Sequence, residues 1–295
     1  MAGVDRRALL TAALTAPVAC AAPRPAAPVI DVSAQLAALE QRFATRLGVH
    51  AVATGDDREL GHRADERFPH CSTFKVLAAG AVLDRYPIEH LEQRVPIAAS
   101  DVVSHSPISG RRVGTGMTIR EAADAAIRYS DNTAGNLLLK QVDGPAGVTA
   151  FVRSLGDGVT RLDRWETELN SAIPGDERDT STPRALASDY RELVLGTRLD
   201  AAKRALLRGW LVANTTGDQR IRAGVPQGWQ VGDKTGTGDH AAANDVAVLW
   251  PPNAPPLVLA VLSASDRSAA KPDNALFGEV ARIVTSALGP ASGGG

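Results

Sequence analysis

Residues 72–85 read STFKVLAAGAVLDR and predict an α-helix, because apolar side chains recur at helical spacing and no proline interrupts them. The first turn places the hydroxyl of Ser72 and the amine of Lys75 three residues apart, on one face of that helix. A serine hydroxyl is a weak nucleophile until a neighbouring base takes its proton, and a partly desolvated lysine can be that base. The same spacing is also typical of a surface helix with a capping serine and a solvated lysine, so other residues must decide.

Helices dominate the middle of the chain, whereas strands are predicted near both ends. Hydrophobic periodicity predicts helices over 34–47, 72–85, 118–128, 133–142, 145–155, 183–195, 201–213 and 274–288. Strand patterns occur over 49–54, 60–63, 230–237, 244–250 and 257–263. Thr118 and Glu121 have the spacing of a capping box at the start of one helix.

This order of elements predicts an α/β fold of the α+β type. Residues 31–63 and 214–290 are expected to form a mixed lobe, with an antiparallel sheet flanked by helices. Residues 64–213 are expected to form an inserted all-helical lobe that contains the long loop 161–182, and loops of that length are usually functional or disordered. The cleft between the two lobes is the natural place for an active site.

The N-terminal residues predict that the protein is exported. Residues 1–22 read as an export signal, with Arg6-Arg7 before a short apolar run, and the paired arginines favour the twin-arginine route to the periplasm or the exterior. A lipid anchor at Cys20 is an alternative that the preceding Pro17-Val18-Ala19 disfavours. Residues 23–30 predict a Pro/Ala linker and residues 291–295 a disordered tail. No apolar stretch is long enough for a stable membrane span.

Composition narrows the class of partner. The net charge of -1, from 32 basic and 33 acidic residues, gives no field that would attract a nucleic acid or an anionic membrane, so a small-molecule partner is expected. Removal of the export signal would leave Cys71 as the only cysteine, which excludes an intramolecular disulfide. The six histidines lack zinc-ligand spacing, so we predict no metal and no cofactor. The absence of an obvious interface signal favours a monomer.

Two further motifs complete the pattern that Ser72 and Lys75 begin. Ser130-Asp131-Asn132 precedes a predicted helix and taken alone reads as a helix cap, while Lys234-Thr235-Gly236 lies on a predicted strand and taken alone means little. Gly236 allows something to approach the backbone of the strand closely. In this order and spacing the three motifs resemble those of class A β-lactamases and penicillin-binding proteins, over residues 30–290.

The segment Glu166-Thr167-Glu168-Leu169-Asn170 separates the two branches of this superfamily. Its carboxylate and amide, four residues apart, resemble the class A pair that holds a water for attack on an ester. A D-Ala-D-Ala carboxypeptidase or transpeptidase would share the other motifs but lack this pair. A β-lactam sensor would stay acylated, and such sensors usually need a membrane helix. Class A serine β-lactamase is therefore the favoured hypothesis.

The resemblance implies roles for particular residues. It implies hydrolysis of penicillin- and cephalosporin-type rings, and hence antibiotic resistance, with Ser72 as nucleophile, Ser130 as proton relay and Glu166 activating water. Either Lys75 or Glu166 would be the acylation base. The backbone N–H groups of Ser72 and Thr237 would form the oxyanion hole. The resemblance implies that the substrate-binding residues are Asn132, Asn170, Arg220, Lys234, Thr235, Gly236 and Thr237. Arg164 and Asp179 would pair to close the long loop.

Overall fold

The computed structural model describes Met1, residues 31–267 and residues 270–290. The predicted linker, the predicted tail, Cys20 and the rest of the predicted export signal lie outside these residues. No helix in the described part of the chain is both long and apolar enough to cross a membrane.

The long strands form one main antiparallel sheet, and helices pack on its two faces. The described residues form these α-helices: α1 (Ser33–Phe43), α2 (Phe74–Arg85), α3 (Ile119–Arg128), α4 (Asn132–Gln141), α5 (Gly144–Ser154), α6 (Pro183–Leu195), α7 (Ala201–Val212) and α8 (Ala275–Leu288). They form these strands: β1 (Arg46–Ala53), β2 (Glu59–His62), β3 (Phe68–Pro69), β4 (Arg94–Val95), β5 (Met117–Thr118), β6 (Thr180–Ser181), β7 (Gln230–Thr237), β8 (Ala243–Trp250) and β9 (Leu257–Ala264).

The main sheet has five strands in the order β2-β1-β9-β8-β7, and every neighbouring pair is antiparallel. The first long strand therefore lies beside the last one, with Val49 opposite Val261. This arrangement confirms the predicted mixed fold with an antiparallel sheet.

Both faces of the sheet are buried, and the alternation of side chains along a strand divides them between two cores. Along β8, Ala247 and Leu249 belong to the apolar cluster that includes residues of α1 and α8. Val246 and Val248 of the same strand belong to the cluster with α2 and α6. Helices α1 and α8 therefore cover one face of the sheet, and the helices in the middle of the chain cover the other.

Helix α2 passes through the middle of the helical part, and every residue from Phe74 to Leu83 is buried. A helix that is apolar on all sides needs neighbours all round. Helices α3, α4, α5, α6 and α7 all pack against it. Because the turn Cys71–Thr73 that precedes it packs against β7 and β8, the residues that lead into this helix lie at the junction of sheet and helices.

The observed boundaries match the predicted ones closely for α6 and β7, but the predicted helix 34–47 extends too far, because Arg46 and Leu47 lie in β1. Leu47 continues the helical spacing of α1, yet α1 ends at Phe43 and Ala44 takes a left-handed conformation with φ of 49°. Leu47 is a fully buried residue of β1 because the sheet core takes its side chain. The segment predicted as all-helical also contains two small ladders, β3 with β6 and β4 with β5, each too short to leave a periodic pattern.

Candidate active site

Ser72 lies in a 3₁₀ turn, Cys71–Thr73, that leads directly into α2. Strand β7 passes close to this turn, since a Cβ atom added to Gly236 would lie 2.8 Å from the carbonyl oxygen of His70. Asn244 of β8 ties the same segment to the sheet by donating to the Pro69 carbonyl at 2.8 Å. The close approach predicted for Gly236 is thus to the segment that carries Ser72.

Lys75 is fully buried and its amine is surrounded by oxygen atoms. Its Nζ atom lies 2.9 Å from Ser72 Oγ and 2.9 Å from Glu166 Oε1. It also lies 2.8 Å from the Ser130 carbonyl and 2.6 Å from Asn132 Oδ1. An ammonium has three N–H donors, and because four acceptors surround it, every donor can be paired.

Burial changes the acidity of both lysines in the site. Desolvation lowers the pKa of Lys75, and the charge of Glu166 partly opposes that shift. Desolvation also lowers the pKa of Lys234 well below its ordinary value, and the positive charge of Lys75 adds to the effect. A lysine with a lowered pKa gives up its proton more readily than an exposed lysine, and its neutral amine can then act as a base.

Glu166 reaches Ser72 from the long loop. Ser72 Oγ lies 3.3 Å from Glu166 Oε1, and Asn170 Nδ2 donates to Glu166 Oε2 at 2.6 Å. Asn136 of α4 fixes the backbone of Glu166 by accepting from its N–H and donating to its carbonyl, both at 3.0 Å. The Glu166–Thr167 peptide bond is cis.

Ser130 connects the two lysines. Its carbonyl accepts from Lys75, and its Oγ accepts from Lys234 Nζ at 3.0 Å. Lys234 also donates to the Thr235 carbonyl at 2.8 Å, and the Thr235 hydroxyl lies 2.6 Å from that of Thr216. The three motifs predicted from the sequence therefore meet at one place.

Arg220 lies at the outer end of this group and only 7% of it is exposed. Its guanidinium donates to the Thr237 hydroxyl at 2.8 Å, to the Gly236 carbonyl at 2.8 Å and to the Asn244 carbonyl at 2.7 Å. Burial lowers the pKa of Arg220 from its ordinary value. Each of these acceptors is neutral, so the charge is free to attract an anion.

Asn132 begins α4 with its side chain turned toward Lys75. Its Oδ1 accepts from Lys75, and its Nδ2 donates to the Ser104 carbonyl at 2.9 Å. A side-chain amide has two N–H donors, so one remains for another acceptor.

Several backbone positions in the site have φ values that non-glycine residues adopt rarely. Cys71, which precedes the nucleophile, has φ of 46°, Ser130 has φ of 55° and Asp179 of the long loop has φ of 56°. Such conformations cost about 1–3 kcal/mol each and persist where the surroundings impose them, often at active sites. Burial raises the pKa of the Cys71 thiol to about 12, which keeps it protonated at neutral pH.

Comparison with known proteins assigns this site to a family. Residues 31–288 match the family described as a β-lactamase enzyme family. The chain is 54% identical over 299 residues to the β-lactamase AST-1 of Nocardia asteroides, with 97% of this chain and 96% of that protein covered. A solved β-lactamase from Desulfarculus baarsii superposes with a TM-score of 0.86 at 51% identity, covering 88% of this chain and 97% of that one. A variant of the last common ancestor of the class A β-lactamases of Gram-negative bacteria superposes with a TM-score of 0.83 at 52% identity, covering 87% and 97%.

The chain belongs to the class A β-lactamase family. The geometry of the site agrees with this family, because a serine, two buried lysines and a loop carboxylate converge. Cys71 of this β-lactamase is a free, buried thiol.

Sequence patterns did not select every residue that shapes the site of this β-lactamase. Asn136 holds the backbone of Glu166 and lies four residues after Asn132 on α4. Residues at this spacing share one face of a helix, so the sequence could have indicated that Asn136 faces the site. Asp131 accepts hydrogen bonds from the backbone of Ala134 and from the Ser109 hydroxyl, so it joins the motif to the loop before α3. Its capping function was expected, whereas its distant partner was not.

The long loop of this β-lactamase is closed by a buried ion pair. Arg164 Nε lies 2.5 Å from Asp179 Oδ2, and Asp179 Oδ1 accepts the backbone N–H groups of Asp163 and Arg164 at 2.7 and 3.0 Å. The Asp179 side chain is 1% exposed and that of Arg164 is 19% exposed. The predicted pair therefore exists and joins the two ends of the loop that carries Glu166.

We expect Arg164→Ala to lower the free energy of unfolding by about 3 kcal/mol, because it leaves the Asp179 carboxylate buried without its cation. Urea unfolding measures this change. Arg178→Ala is the matched control, since Arg178 pairs with Asp176 in the same loop but its side chain is 50% exposed. The control should lose less than about 1 kcal/mol. Equal losses in the two variants would show that the buried pair has no special importance.

Proposed function

We propose that this β-lactamase hydrolyses the amide bond of penicillin- and cephalosporin-type rings in two steps, through an ester on Ser72. The observation that carries the proposal is the set of contacts around Ser72 Oγ. Lys75 Nζ lies 2.9 Å away and Glu166 Oε1 lies 3.3 Å away, all in a buried site. Antibiotic resistance follows from such hydrolysis.

In the first step Ser72 Oγ attacks the carbonyl carbon of the ring, and the ring C–N bond breaks. The serine proton moves to the neighbouring base, and a proton reaches the departing nitrogen through Ser130. The contact of Lys234 with Ser130 Oγ at 3.0 Å supports this relay, because it joins the hydroxyl to a second buried amine. The backbone N–H groups of Ser72 and Thr237 would stabilise the oxyanion, by about 3 kcal/mol for each donor.

In the second step a water attacks the ester carbonyl, with Glu166 as its base, and the C–Oγ bond breaks to restore Ser72. The orientation of Asn170 supports this step. Its Nδ2 is bonded to Glu166, while its Oδ1 is buried and has no partner among the described groups. A buried acceptor needs a donor, and a water beside Glu166 would supply one.

The substrate is held by groups that surround Ser72. Arg220 and Lys234 supply positive charge for the substrate carboxylate, together with the hydroxyls of Thr235 and Thr237. Gly236 lets β7 lie close to the segment that carries Ser72. The remaining N–H of Asn132 would bind the acylamino carbonyl of the substrate. A charge-assisted bond from a planar guanidinium suits a carboxylate well.

The location and assembly of the protein complete the proposal. We infer export to the periplasm or exterior through the signal predicted at residues 1–22, and action as a monomer. We also propose the division into two lobes that the sequence predicts. One lobe contains residues 31–63 and 214–290, and the other contains residues 64–213. Size-exclusion chromatography of the exported protein tests its mass and its assembly together.

Quenched-flow mass spectrometry with a penicillin tests the mechanism. We expect a transient adduct with the full mass of the drug on the peptide that contains Ser72, because ring opening expels no leaving group. A chromogenic cephalosporin should show continuous turnover under the same conditions. Turnover without any adduct would refute the serine ester, and an adduct without turnover would indicate a β-lactam-binding protein instead.

A further inference from the structure

Asp245 is a fully buried acid close to the substrate-binding end of the site. It lies on β8 directly opposite Thr235 of β7. Its neighbours on the same strand face, Ala243 and Ala247, belong to the apolar cluster with α8. A carboxyl group on such a face is costly unless it is hydrogen bonded, so its partners indicate what it does.

The first partner of Asp245 is the backbone next to Arg220. Asp245 Oδ2 accepts the N–H of Ile221 at 3.1 Å. Ile221 follows Arg220 directly and begins the 3₁₀ turn Ile221–Gly224, which packs against α8. Asp245 therefore ties the backbone that carries Arg220 to the middle of the sheet.

The second neighbour is the carboxyl group of Asp233, whose charge acts on Asp245, and Asp245 Oδ1 is buried with no hydrogen-bond partner among the described groups. Asp233 accepts from Arg222 Nε at 2.6 Å and from Asn214 Nδ2 at 2.7 Å, so Asp233 is the member that carries the charge. Burial and the Asp233 charge raise the pKa of Asp245 well above its ordinary value. A neutral Asp245 can still accept from Ile221.

The guanidinium of Arg220 is held by hydrogen bonds to neighbouring groups. Its hydrogen bonds go to neutral oxygen atoms, namely those of Thr237, Gly236, Asn244 and Asn274. These bonds hold the end of the side chain, while the backbone from which the side chain starts is tied through the Ile221 N–H to the buried Asp245.

We propose that Asp245 is a positioning residue for Arg220, holding the Ile221 N–H in place so that the guanidinium faces the substrate carboxylate. Asp245 itself touches no substrate. The inference rests on the proposed function in one respect, since it requires that Arg220 binds the carboxylate.

A double-mutant cycle with Arg220→Ala and Asp245→Ala tests the proposal, with KM and kcat measured for a penicillin. We expect each single variant to raise KM about tenfold or more while kcat changes less than about threefold, because both lose binding rather than chemistry. The double variant should have the KM of Arg220→Ala, because Asp245 acts through a side chain that is already gone. If Asp245 had only a structural role, the KM of the double variant would rise by the product of the two single effects.

Asp245→Asn is the conservative control. Its amide oxygen can accept from Ile221, as the neutral acid does, so its KM should stay within about twofold of the wild type. A tenfold rise in a folded Asp245→Asn enzyme would overturn the proposal, and so would a full Asp245→Ala effect in the Arg220→Ala background. If Asp245→Ala does not fold, Asp245→Ser takes its place in the cycle, because a serine hydroxyl is too short to reach the Ile221 N–H. An unchanged KM in Arg220→Ala would refute the role of Arg220, whereas a changed one with a normal Asp245→Ala would refute this inference alone.

Discussion

The Glu166→Ala enzyme should open about one equivalent of penicillin per active site, hold it as the ester on Ser72 and then turn over only very slowly. The contact between Ser72 Oγ and Lys75 Nζ, 2.9 Å in the wild-type structure, does not involve Glu166, so we expect the ester to form still. The water that cleaves the ester loses its base, and a positioned general base is typically worth about 10²–10⁴-fold in rate. We therefore expect deacylation to slow by about 10³-fold, with the acyl-enzyme accumulating on Ser72.

Stopped-flow measurement of the burst and mass spectrometry of the trapped enzyme test this expectation. Glu168→Ala is the matched control, because Glu168 lies two residues further along the same loop with an exposed side chain. The control should turn over at nearly the wild-type rate. Undiminished steady turnover in Glu166→Ala would remove this carboxylate from the mechanism, and a missing burst would give it a part in acylation as well.

Lys75→Met should affect the other half of the reaction. Methionine has a similar volume and an apolar chain, so it fills the buried site but removes the amine that lies 2.9 Å from Ser72 Oγ. We expect the acylation rate constant to fall by about 10²–10⁴-fold. Lys140→Met is the control, since Lys140 pairs with Asp101 at the surface with its side chain 48% exposed.

The pH dependence of acylation gives a second readout for Lys75. A neutral amine can take the serine proton, and its population grows as the pH rises through the pKa of Lys75. Burial lowers that pKa, while the charge of Glu166 raises it. In Glu166→Ala the opposing charge is gone, so the acylation rate should rise at a lower pH than in the wild type. A shift toward higher pH, or normal acylation by Lys75→Met, would contradict the role of this amine as the base.

Much of the fold was predictable because local signals and global packing agree. The capping box of Thr118 and Glu121 forms as predicted, with Thr118 Oγ1 accepting the Glu121 N–H at 3.1 Å. The bounds of β7 and α6 also follow from their apolar patterns. Leu47 shows where such signals fail, since one apolar residue at helical spacing cannot indicate whether a helix or a sheet buries it.

The candidate site was predictable only as far as short motifs reach. Ser72, Ser130 and Lys234 lie in short recognisable motifs, and the structure brings them together. The anchor formed by Asp245 depends on register between two strands and on a turn far away in sequence, which no local pattern contains. The positive φ of Cys71 is likewise imposed by tertiary contacts, because cysteine has no intrinsic preference for it.

The pairing of β1 with β9 also governs when activity can arise. A ribosome completes Ser72 long before it reaches Lys234, and β1 must wait for a partner about two hundred residues away, a contact that forms late because of its loop-closure entropy. A nascent or prematurely terminated polypeptide therefore contains the nucleophile without its surroundings. Only the finished chain can attack an antibiotic.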